Sequence, residues 1–316
     1  MANSIIRDVK NARKCENIND PIDTYVVDYI AMVFSKLFIK LHIVPNAVTV
    51  LSGLIGAAGG VLLCFHTLVT DIVGVILIVL SAIFDASDGQ VARLTKHYSN
   101  LGRTLDGFMD GVVYLSIYIG LCIRLYPLHI PFTETPWRFW IIPAVIVVML
   151  LHSAQMRIMD YFKNLHMYMF TRGSGSELSR SQKITEQIDS LKKGSFERIR
   201  LTFYRSYTKM QERKMPKTQI LLDRIEEGGV SEELFEKYVS KSRKYVIASN
   251  LLSFNLRTIV LFLLLLLPFD VEFLLIPFVI LILEPIRFII IALYEKLASD
   301  LTKEELPAGE ESQKDV

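Results

Sequence analysis

Two neighbouring apolar stretches decide the fold: residues 45–65 read PNAVTVLSGLIGAAGGVLLCF, and residues 71–94 read DIVGVILIVLSAIFDASDGQVARL. A helix needs about 20 residues to cross a hydrocarbon layer of about 30 Å, and each stretch is long enough. The whole chain has 316 residues, of which 51% are hydrophobic, and its mean hydropathy is +0.36. These features predict an integral membrane protein rather than one large soluble domain.

Four further stretches have the length and composition of membrane spans once brief polar interruptions are allowed. The chain is therefore predicted to be all-α, a bundle of six transmembrane helices at residues 45–65, 71–94, 106–125, 137–157, 246–267 and 271–291. Ahead of the first span, residues 22–42 mix apolar side chains with Asp and Lys, which predicts a helix lying on the membrane surface. The first twenty residues are polar and contain no apolar core of signal-peptide length, so no cleaved leader is expected.

The positions of Lys and Arg predict the orientation in the membrane. Net charge is only +2, from 35 basic and 33 acidic residues, so no general affinity for nucleic acid is expected. The two predicted outer loops hold only Arg124 and Arg138, whereas the other connecting segments and both ends of the chain are rich in basic residues. By the positive-inside rule, both termini and the loop between the second and third spans are expected to be cytoplasmic. The three cysteines form neither a disulfide framework nor a metal-binding pattern.

A polar insert separates the fourth span from the fifth. Residues 171–245 carry 17 basic and 11 acidic side chains, and breaks at Gly194, Pro216 and Gly228–Gly229 predict three or four short amphipathic helices. The surplus of positive charge suits contact with anionic lipid headgroups, and a solvated insertion without a catalytic role is the alternative. The domain plan is an N-terminal segment with the interfacial helix at 1–44, spans one to four at 45–170, the cytoplasmic insert at 171–245, spans five and six at 246–298, and a flexible tail at 299–316.

The chemistry is expected where the second and third spans meet their connecting loop, because four aspartates lie there. Asp85 and Asp88 are three residues apart, so they share one helix face. Asp106 and Asp110 are four residues apart and share a face of the next helix. Carboxylates this close repel one another in a partly desolvated site unless cations neutralise them. The pattern therefore predicts a site for Mg²⁺ or Mn²⁺, of the kind that assists phosphoryl transfer with two ions.

The spacing D-x2-D-G-x2-A-R-x8-G-x3-D-x3-D, which runs from Asp85 to Asp110, resembles the signature of the CDP-alcohol phosphotransferases, also called CDP-alcohol phosphatidyltransferases. All eight fixed positions match, and the six-span plan and the surface helix also fit this family, whereas the insert lies outside its minimal core. The segment from Pro45 to Thr49 resembles a second, weaker family motif near the nucleotide pocket. The resemblance implies an enzyme of phospholipid synthesis that releases CMP and forms a homodimer.

The resemblance also implies roles for individual residues. Asp85, Asp88 and Asp106 would ligate metal. Asp110 would complete the two-metal site and act as general base on the attacking hydroxyl. Gly102 would serve helix packing. The residues expected to border the nucleotide are Gly89, Ala92, Arg93, Asn46 and Thr49.

The sequence leaves the substrates open between two versions. In the first, CDP-diacylglycerol is the donor and the acceptor is a soluble alcohol such as inositol phosphate, glycerol phosphate or serine. In the second, a CDP-amino alcohol such as CDP-choline or CDP-ethanolamine donates to a lipid alcohol. The basic residues near the end of span four favour the first version. The residues expected to bind the acceptor are Arg157, Lys163, Arg257 and Arg287.

Two competing interpretations apply to these residues and to the aspartates. Arg257 and Glu284 are expected at a similar depth in the membrane, so they could form a buried ion pair instead of lining an acceptor pocket. The four aspartates could also form an ion-binding or transport site in a protein without transferase activity. That last reading predicts metal-dependent flux without release of CMP.

Overall fold

The computed structural model describes Val9, Ile18 and residues 23–97, 99–130, 133–173, 178–228, 230–267 and 271–304. The described residues are mostly helical and include no β-strand, which confirms the predicted all-α class. The chain divides into two compact units. One comprises Met1–His152 and Phe254–Ile280, and the other comprises Ser153–Ser253 and Leu281–Val316.

The helices have these bounds, in chain order: α1 (Asp28–Lys40), α2 (Pro45–Leu62), α3 (Leu68–Thr95), α4 (Asn100–Leu125), α5 (Arg138–Phe170), α6 (Ser181–Asp189), α7 (Phe196–Glu212), α8 (Pro216–Glu226), α9 (Glu232–Ser249), α10 (Phe254–Leu265) and α11 (Glu284–Glu304). A π-helical turn precedes α1, and irregular helical turns from Glu272 lead without interruption into α11. Within the described part of the chain, five helical segments are long and apolar enough to cross a membrane, and α9 with α10 makes a sixth if the pair counts as one broken span.

Glycines let α2, α3 and α4 approach one another closely. A Cβ atom added at Gly59 would lie 2.6 Å from the backbone oxygen of Gly74, so the two helices touch backbone to backbone. A Cβ atom at Gly56 would lie 2.5 Å from the Ser81 hydroxyl. Gly56 and Gly60 are a small-xxx-small pair in the sequence, a pattern typical of close packing between membrane helices. This packing brings the two aspartate-bearing helices and α2 together.

Helix α1 is tied to α3 by buried polar side chains. The Ser35 hydroxyl lies 3.0 Å from Gln90 Oε1, and the amide nitrogen of Gln90 donates to the backbone oxygen of Asp28 at 3.0 Å. Ser87 donates to the backbone oxygen of Ala31 at 3.1 Å. Because these polar groups are buried, they would cost free energy without a hydrogen-bond partner, and each bond offsets that cost. The N-terminal helix is therefore fixed against the back of the helix that carries Asp85 and Asp88.

A buried ion network joins the ends of α3 and α4 that lie away from the aspartates. Arg124 forms an ion pair with Asp71 at 2.6 Å and a second, very short one with Glu272. All three side chains are almost completely buried. The network links α3, α4 and the start of the segment that leads to α11.

The insert consists of helices α6 to α9, and its breaks lie where the sequence predicts them. Gly194 and Gly228 adopt positive φ angles of 81° and 78°, a conformation that favours glycine. Pro216 occupies the first turn of α8, where its missing N–H costs nothing. The following turn is held by Glu295 of α11, whose carboxylate accepts the backbone N–H of Thr218 at 3.0 Å.

Three helical segments differ in extent from the predicted spans. The predicted fifth span is not one regular helix. Helix α9 continues from the insert to Ser249, and the helix is interrupted at residues 250–253 before α10 begins. The Ser249 hydroxyl donates to the backbone oxygen of Val246, three residues earlier in the chain. Such side-chain bonds to the backbone compete with the hydrogen bonds of a regular helix. The fourth span extends to Phe170, thirteen residues beyond its predicted end. The last helix continues to Glu304, so residues 299–304 of the predicted tail are helical, and residues 305–316 lie outside the described part of the chain.

Candidate active site

The four aspartates lie on two helices joined by a short connection. Lys96 ends α3 in the left-handed conformation, with φ of 56°. Ser99 begins α4 as its N-cap, since its hydroxyl accepts the backbone N–H of Gly102 at 2.9 Å. The last turns of α3 and the first turns of α4 are therefore neighbours.

Asp85, Asp88 and Asp106 converge on one point. A carboxylate oxygen from each lies within 4.8 Å of those from the other two. Asp88 is buried, and the other two are half-buried. Mg²⁺ holds oxygen ligands at about 2.0–2.1 Å, so two ligands of one ion lie about 3–4 Å apart, and hard oxygen donors are the ligands it prefers. The donor set and its spacing therefore fit a divalent cation.

Asp110 lies one helical turn beyond Asp106 and outside this group of three. Its charge nevertheless acts on both Asp85 and Asp88, so it stands beside the group. Its side chain is half-buried. The structure thus shows three carboxylates that can share one cation and a fourth beside them.

Thr49 holds one of these carboxylates in place. Its hydroxyl donates a short hydrogen bond to Asp88 Oδ2 and also lies 3.1 Å from the backbone oxygen of Pro45. Only 4% of Thr49 is exposed. The sequence assigns Thr49 to the nucleotide, and the contact with Asp88 is a role that sequence reasoning missed. The only available signal was the position of Thr49 near the start of the first span, at the same end as the aspartates.

Gly102 and Asn46 meet where α2 and α4 begin. A Cβ atom at residue 102 would lie 2.8 Å from Asn46 Oδ1 and 3.0 Å from the Ser99 hydroxyl. A side chain at residue 102 would therefore have to displace the Asn46 side chain, and glycine leaves room for it. The predicted packing role of Gly102 agrees with this geometry. The half-buried side chain of Asn46 lies beside the motif.

Gly89 leaves space for the guanidinium of Arg93. A Cβ atom at residue 89 would lie 3.2 Å and 3.3 Å from the two terminal nitrogens of Arg93, one turn further along α3. The Arg93 and Ala92 side chains are both half-buried. The absence of a side chain at Gly89 therefore decides where the arginine can rest.

Arg257 lines a largely apolar cavity inside its own unit. Tyr114, Tyr118 and His152 also line this cavity. The Arg257 residue is only 3% exposed. Tyr118 and His152 share a hydrogen bond of 2.8 Å. The two tyrosines follow Asp110 on α4 at intervals of four residues, so they continue the helix face that carries the aspartates.

The other three predicted acceptor residues belong to the second unit. Arg157 and Lys163 are half-buried on α5, whereas Arg287 is buried on α11. Arg287 forms an ion pair with Glu284, and Gln155 donates to the same carboxylate at 2.9 Å. Glu284 therefore has a partner on its own helix, and its pairing with Arg257 stays a prediction. The preferred partner is one turn away on the same helix, where a bidentate contact costs little side-chain entropy.

Comparison with known proteins bears on the segment that carries the motif. No curated protein matches the chain. One protein-family model matches a segment of the chain that includes α2, α3, α4 and α5 and every position of the aspartate motif. The insert and α11 lie outside it. Residues 42–171 match the model of the CDP-alcohol phosphatidyltransferase family, which confirms the resemblance found in the motif.

Proposed function

We propose that the protein is a membrane-embedded, metal-dependent transferase that moves a phosphatidyl group from CDP-diacylglycerol to the hydroxyl of a polar alcohol, with release of CMP. The observation that carries this proposal is the group of three aspartates, whose carboxylate oxygens lie within 4.8 Å of one another in the segment that matches the family. A structural role would not require three carboxylates at one point.

Asp85, Asp88 and Asp106 would hold Mg²⁺ or Mn²⁺, with Asp110 completing a site for a second ion. The bound ions would neutralise the pyrophosphate of the donor and stabilise negative charge on the leaving phosphate. Thr49 fixes the orientation of Asp88 in advance, because its hydroxyl donates to Asp88 Oδ2.

Asp110 is proposed as the general base. It would accept the proton of the acceptor hydroxyl while the hydroxyl oxygen forms a bond to the β-phosphorus of the donor. The bond between that phosphorus and the bridging oxygen breaks, and CMP leaves with the oxygen. The position of Asp110 beside the group of three, rather than within it, supports this role.

Arg93 is proposed to bind the nucleotide phosphates. Its guanidinium lies over Gly89 on the helix that carries Asp85 and Asp88, and it offers charge-assisted donors close to the carboxylates. Ala92 and Asn46 would border the nucleotide on either side. Thr49 is better described as a positioning residue for Asp88 than as a nucleotide contact.

The active site is proposed to face the cytoplasm, as the distribution of Lys and Arg predicts. Apolar residues of α1 are exposed, among them Ile30, Val33 and Leu37, and suit a helix at the membrane surface. This location lets a lipid donor and a water-soluble acceptor reach the same aspartates. A homodimer remains an expectation from the family resemblance.

A panel of donors tests the proposed substrate class. CMP release by the purified protein would be measured with CDP-diacylglycerol and a series of polar alcohols, and separately with CDP-choline or CDP-ethanolamine and a lipid alcohol. We expect activity with CDP-diacylglycerol and one of the polar alcohols. Activity only with a CDP-amino alcohol would reverse the donor assignment. Metal-dependent ion flux without CMP from any donor would favour the non-catalytic ion site.

A further inference from the structure

Helix α7 of the insert carries apolar side chains on two opposite faces. On one face, Leu201 is buried in a cluster with Ile184 and Ile188 of α6. Ile199 and Phe203 come two residues before and two residues after Leu201. In a helix of 3.6 residues per turn, they therefore lie on nearly the opposite side. Packing against α6 accounts for only one of the two apolar faces.

The opposite face of α7 is an apolar surface, which we call the exposed stripe and define by Ile199, Phe203 and Met210. The exposed fractions of these residues are 51%, 74% and 48%. Their spacings of four and seven residues correspond to about one and two helical turns, so they follow one line along the helix. Single exposed apolar side chains are common on proteins, whereas several that share one surface mark an interaction site.

Basic side chains border the exposed stripe. Lys209 lies in the last turn of α7, Arg213 caps the helix, and both are exposed. The two acids of α7 have other partners, because Glu197 pairs with Arg200 and Glu212 accepts the first backbone N–H of α6 at 2.8 Å. An apolar stripe bordered by Lys and Arg is typical of a helix that lies in the headgroup layer of an anionic membrane.

The insert is attached where its supporting helices are predicted to leave the membrane. Gln211 of α7 donates to the backbone oxygen of Arg157 on α5 at 2.9 Å, and Arg157 is the last residue of the predicted fourth span. Glu295 of α11 accepts the backbone N–H of Lys217 at 2.8 Å, four residues beyond the predicted sixth span. The end of α7 that carries Met210 is thereby held near the predicted level of the headgroups.

We propose that α7 docks on the anionic surface of the membrane in which the protein is embedded. The exposed stripe enters the boundary between headgroups and acyl chains, and Lys209 and Arg213 lie among the headgroup phosphates. Removal of the apolar side chains from water and attraction of the basic ones to anionic lipid both stabilise this contact. A second copy of the chain is the competing occupant. In a symmetric dimer, however, the same basic border would face itself and repel.

A polarity-sensitive dye on the exposed stripe reports this docking in the full-length protein. The three native cysteines would be replaced by alanine, and the dye attached through Phe203→Cys. Glu197→Cys is the matched control, since residue 197 is exposed on a different face of the same helix. The labelled proteins would be reconstituted in phosphatidylcholine vesicles with and without phosphatidylglycerol, each with a nitroxide on some of the acyl chains. We expect the nitroxide to quench the dye at residue 203 more strongly when phosphatidylglycerol is present, and the dye at residue 197 only weakly in both vesicles.

Removing the basic border tests the role of charge. Lys209→Gln combined with Arg213→Gln should lower the ratio of docked to free insert about fivefold for each charge removed, and quenching at residue 203 should fall. Lys183→Gln is the control, because it removes an exposed lysine from α6, the helix that packs on the other face of α7. Equal quenching at residues 203 and 197, or quenching at 203 that ignores the two charge substitutions, would overturn the proposal. A dye at residue 203 that is shielded from water but not quenched would show that protein rather than lipid covers the stripe, and would overturn it too.

Discussion

At the scale of single residues, the contact between Thr49 and Asp88 is the most informative one in the site. The hydroxyl is buried and donates directly to a carboxylate of the three-aspartate group. Replacing Thr49 by Val keeps the shape of the side chain and removes the donor. A hydrogen bond to a charged group contributes about 1.5–3 kcal/mol, so Asp88 would lose orientation and its affinity for metal.

Thr49→Val is therefore expected to raise the Mn²⁺ concentration needed for half-maximal CMP release by about tenfold. Thr49→Ser, which keeps the hydroxyl, should behave almost as the unmodified protein does. The measurement is CMP release against metal concentration at saturating donor. A Thr49→Val variant with unchanged metal dependence would show that this hydrogen bond does not position the ligand.

Gly89 supports a second prediction, about the nucleotide. An added Cβ atom would meet only the end of the Arg93 side chain, at 3.2 Å, so Gly89→Ala should fold but displace the guanidinium. We expect a higher KM for the CDP-linked donor with little change in thermal stability. Gly111→Ala is the control, because a Cβ atom there meets nothing within 4 Å. Equal KM values for the two variants would contradict a role for Arg93 in binding the donor.

The aspartates and their neighbours show what sequence can and cannot provide at this scale. The spacing of Asp85, Asp88 and Asp106 predicted a shared site, because helix periodicity fixes which side chains share a face. The bond between Thr49 and Asp88 could not be predicted in the same way. It depends on the rotation of α2 relative to α3, which is set by the glycine contacts between them.

At the scale of helices, the ion network around Arg124 has the clearest energetic consequence. Arg124 neutralises both Asp71 and Glu272, and all three side chains are buried. Arg124→Met would leave two carboxylates buried without their cation, and removing one partner of a buried pair costs about 3–5 kcal/mol. We expect a clear fall in the unfolding temperature of the purified protein in detergent.

The control for that prediction is Arg138→Met, which removes an exposed basic residue from the predicted outer side. Its unfolding temperature should stay close to that of the unmodified protein. If the two substitutions lower the temperature equally, the buried network does not hold α3, α4 and the start of the last membrane segment together.

Most of the helices were predictable, and the exceptions have local causes. Runs of about 20 apolar residues identified the first three spans to within a few residues. The fifth span was predicted as one helix, because its hydropathy is continuous across residues 250–253, where the backbone breaks. The helices of the fourth and last spans are longer than the predicted spans. These helices continue into polar sequence, where insert residues pack against them. Gln219 donates to the Tyr161 hydroxyl at 2.8 Å, and the rings of Tyr245 and Tyr294 lie with centroids 5.7 Å apart.

At the scale of the whole molecule, the end of the family match does not coincide with a boundary in the fold. The match ends at residue 171, just where the insert begins. The insert is nevertheless hydrogen-bonded to α5, inside the matched range, and to α11, outside it. Sequence could place Arg157 and Arg287 among basic candidates. It could not predict that Gln211 of the insert donates to the backbone oxygen of Arg157, because that contact depends on how the insert folds back.

The insert, which packs on the long helices α5 and α11, is expected to lie outside the membrane. Each belongs to a continuous helical segment of 33 residues, about 50 Å at 1.5 Å per residue. A hydrocarbon layer of about 30 Å leaves part of each segment in the surrounding water. Those extensions give the insert helices a surface to pack on.

The central claim is that the aspartates catalyse metal-dependent transfer, and CMP release by Asp110→Asn tests it most directly. The purified protein and this variant would be compared with CDP-diacylglycerol, a polar alcohol and Mn²⁺, with and without a chelator. We predict that CMP forms only when donor, alcohol and metal are all present, and that Asp110→Asn lowers the rate at least a hundredfold while the protein stays folded. CMP release that persists in Asp110→Asn or in the presence of the chelator would contradict the account.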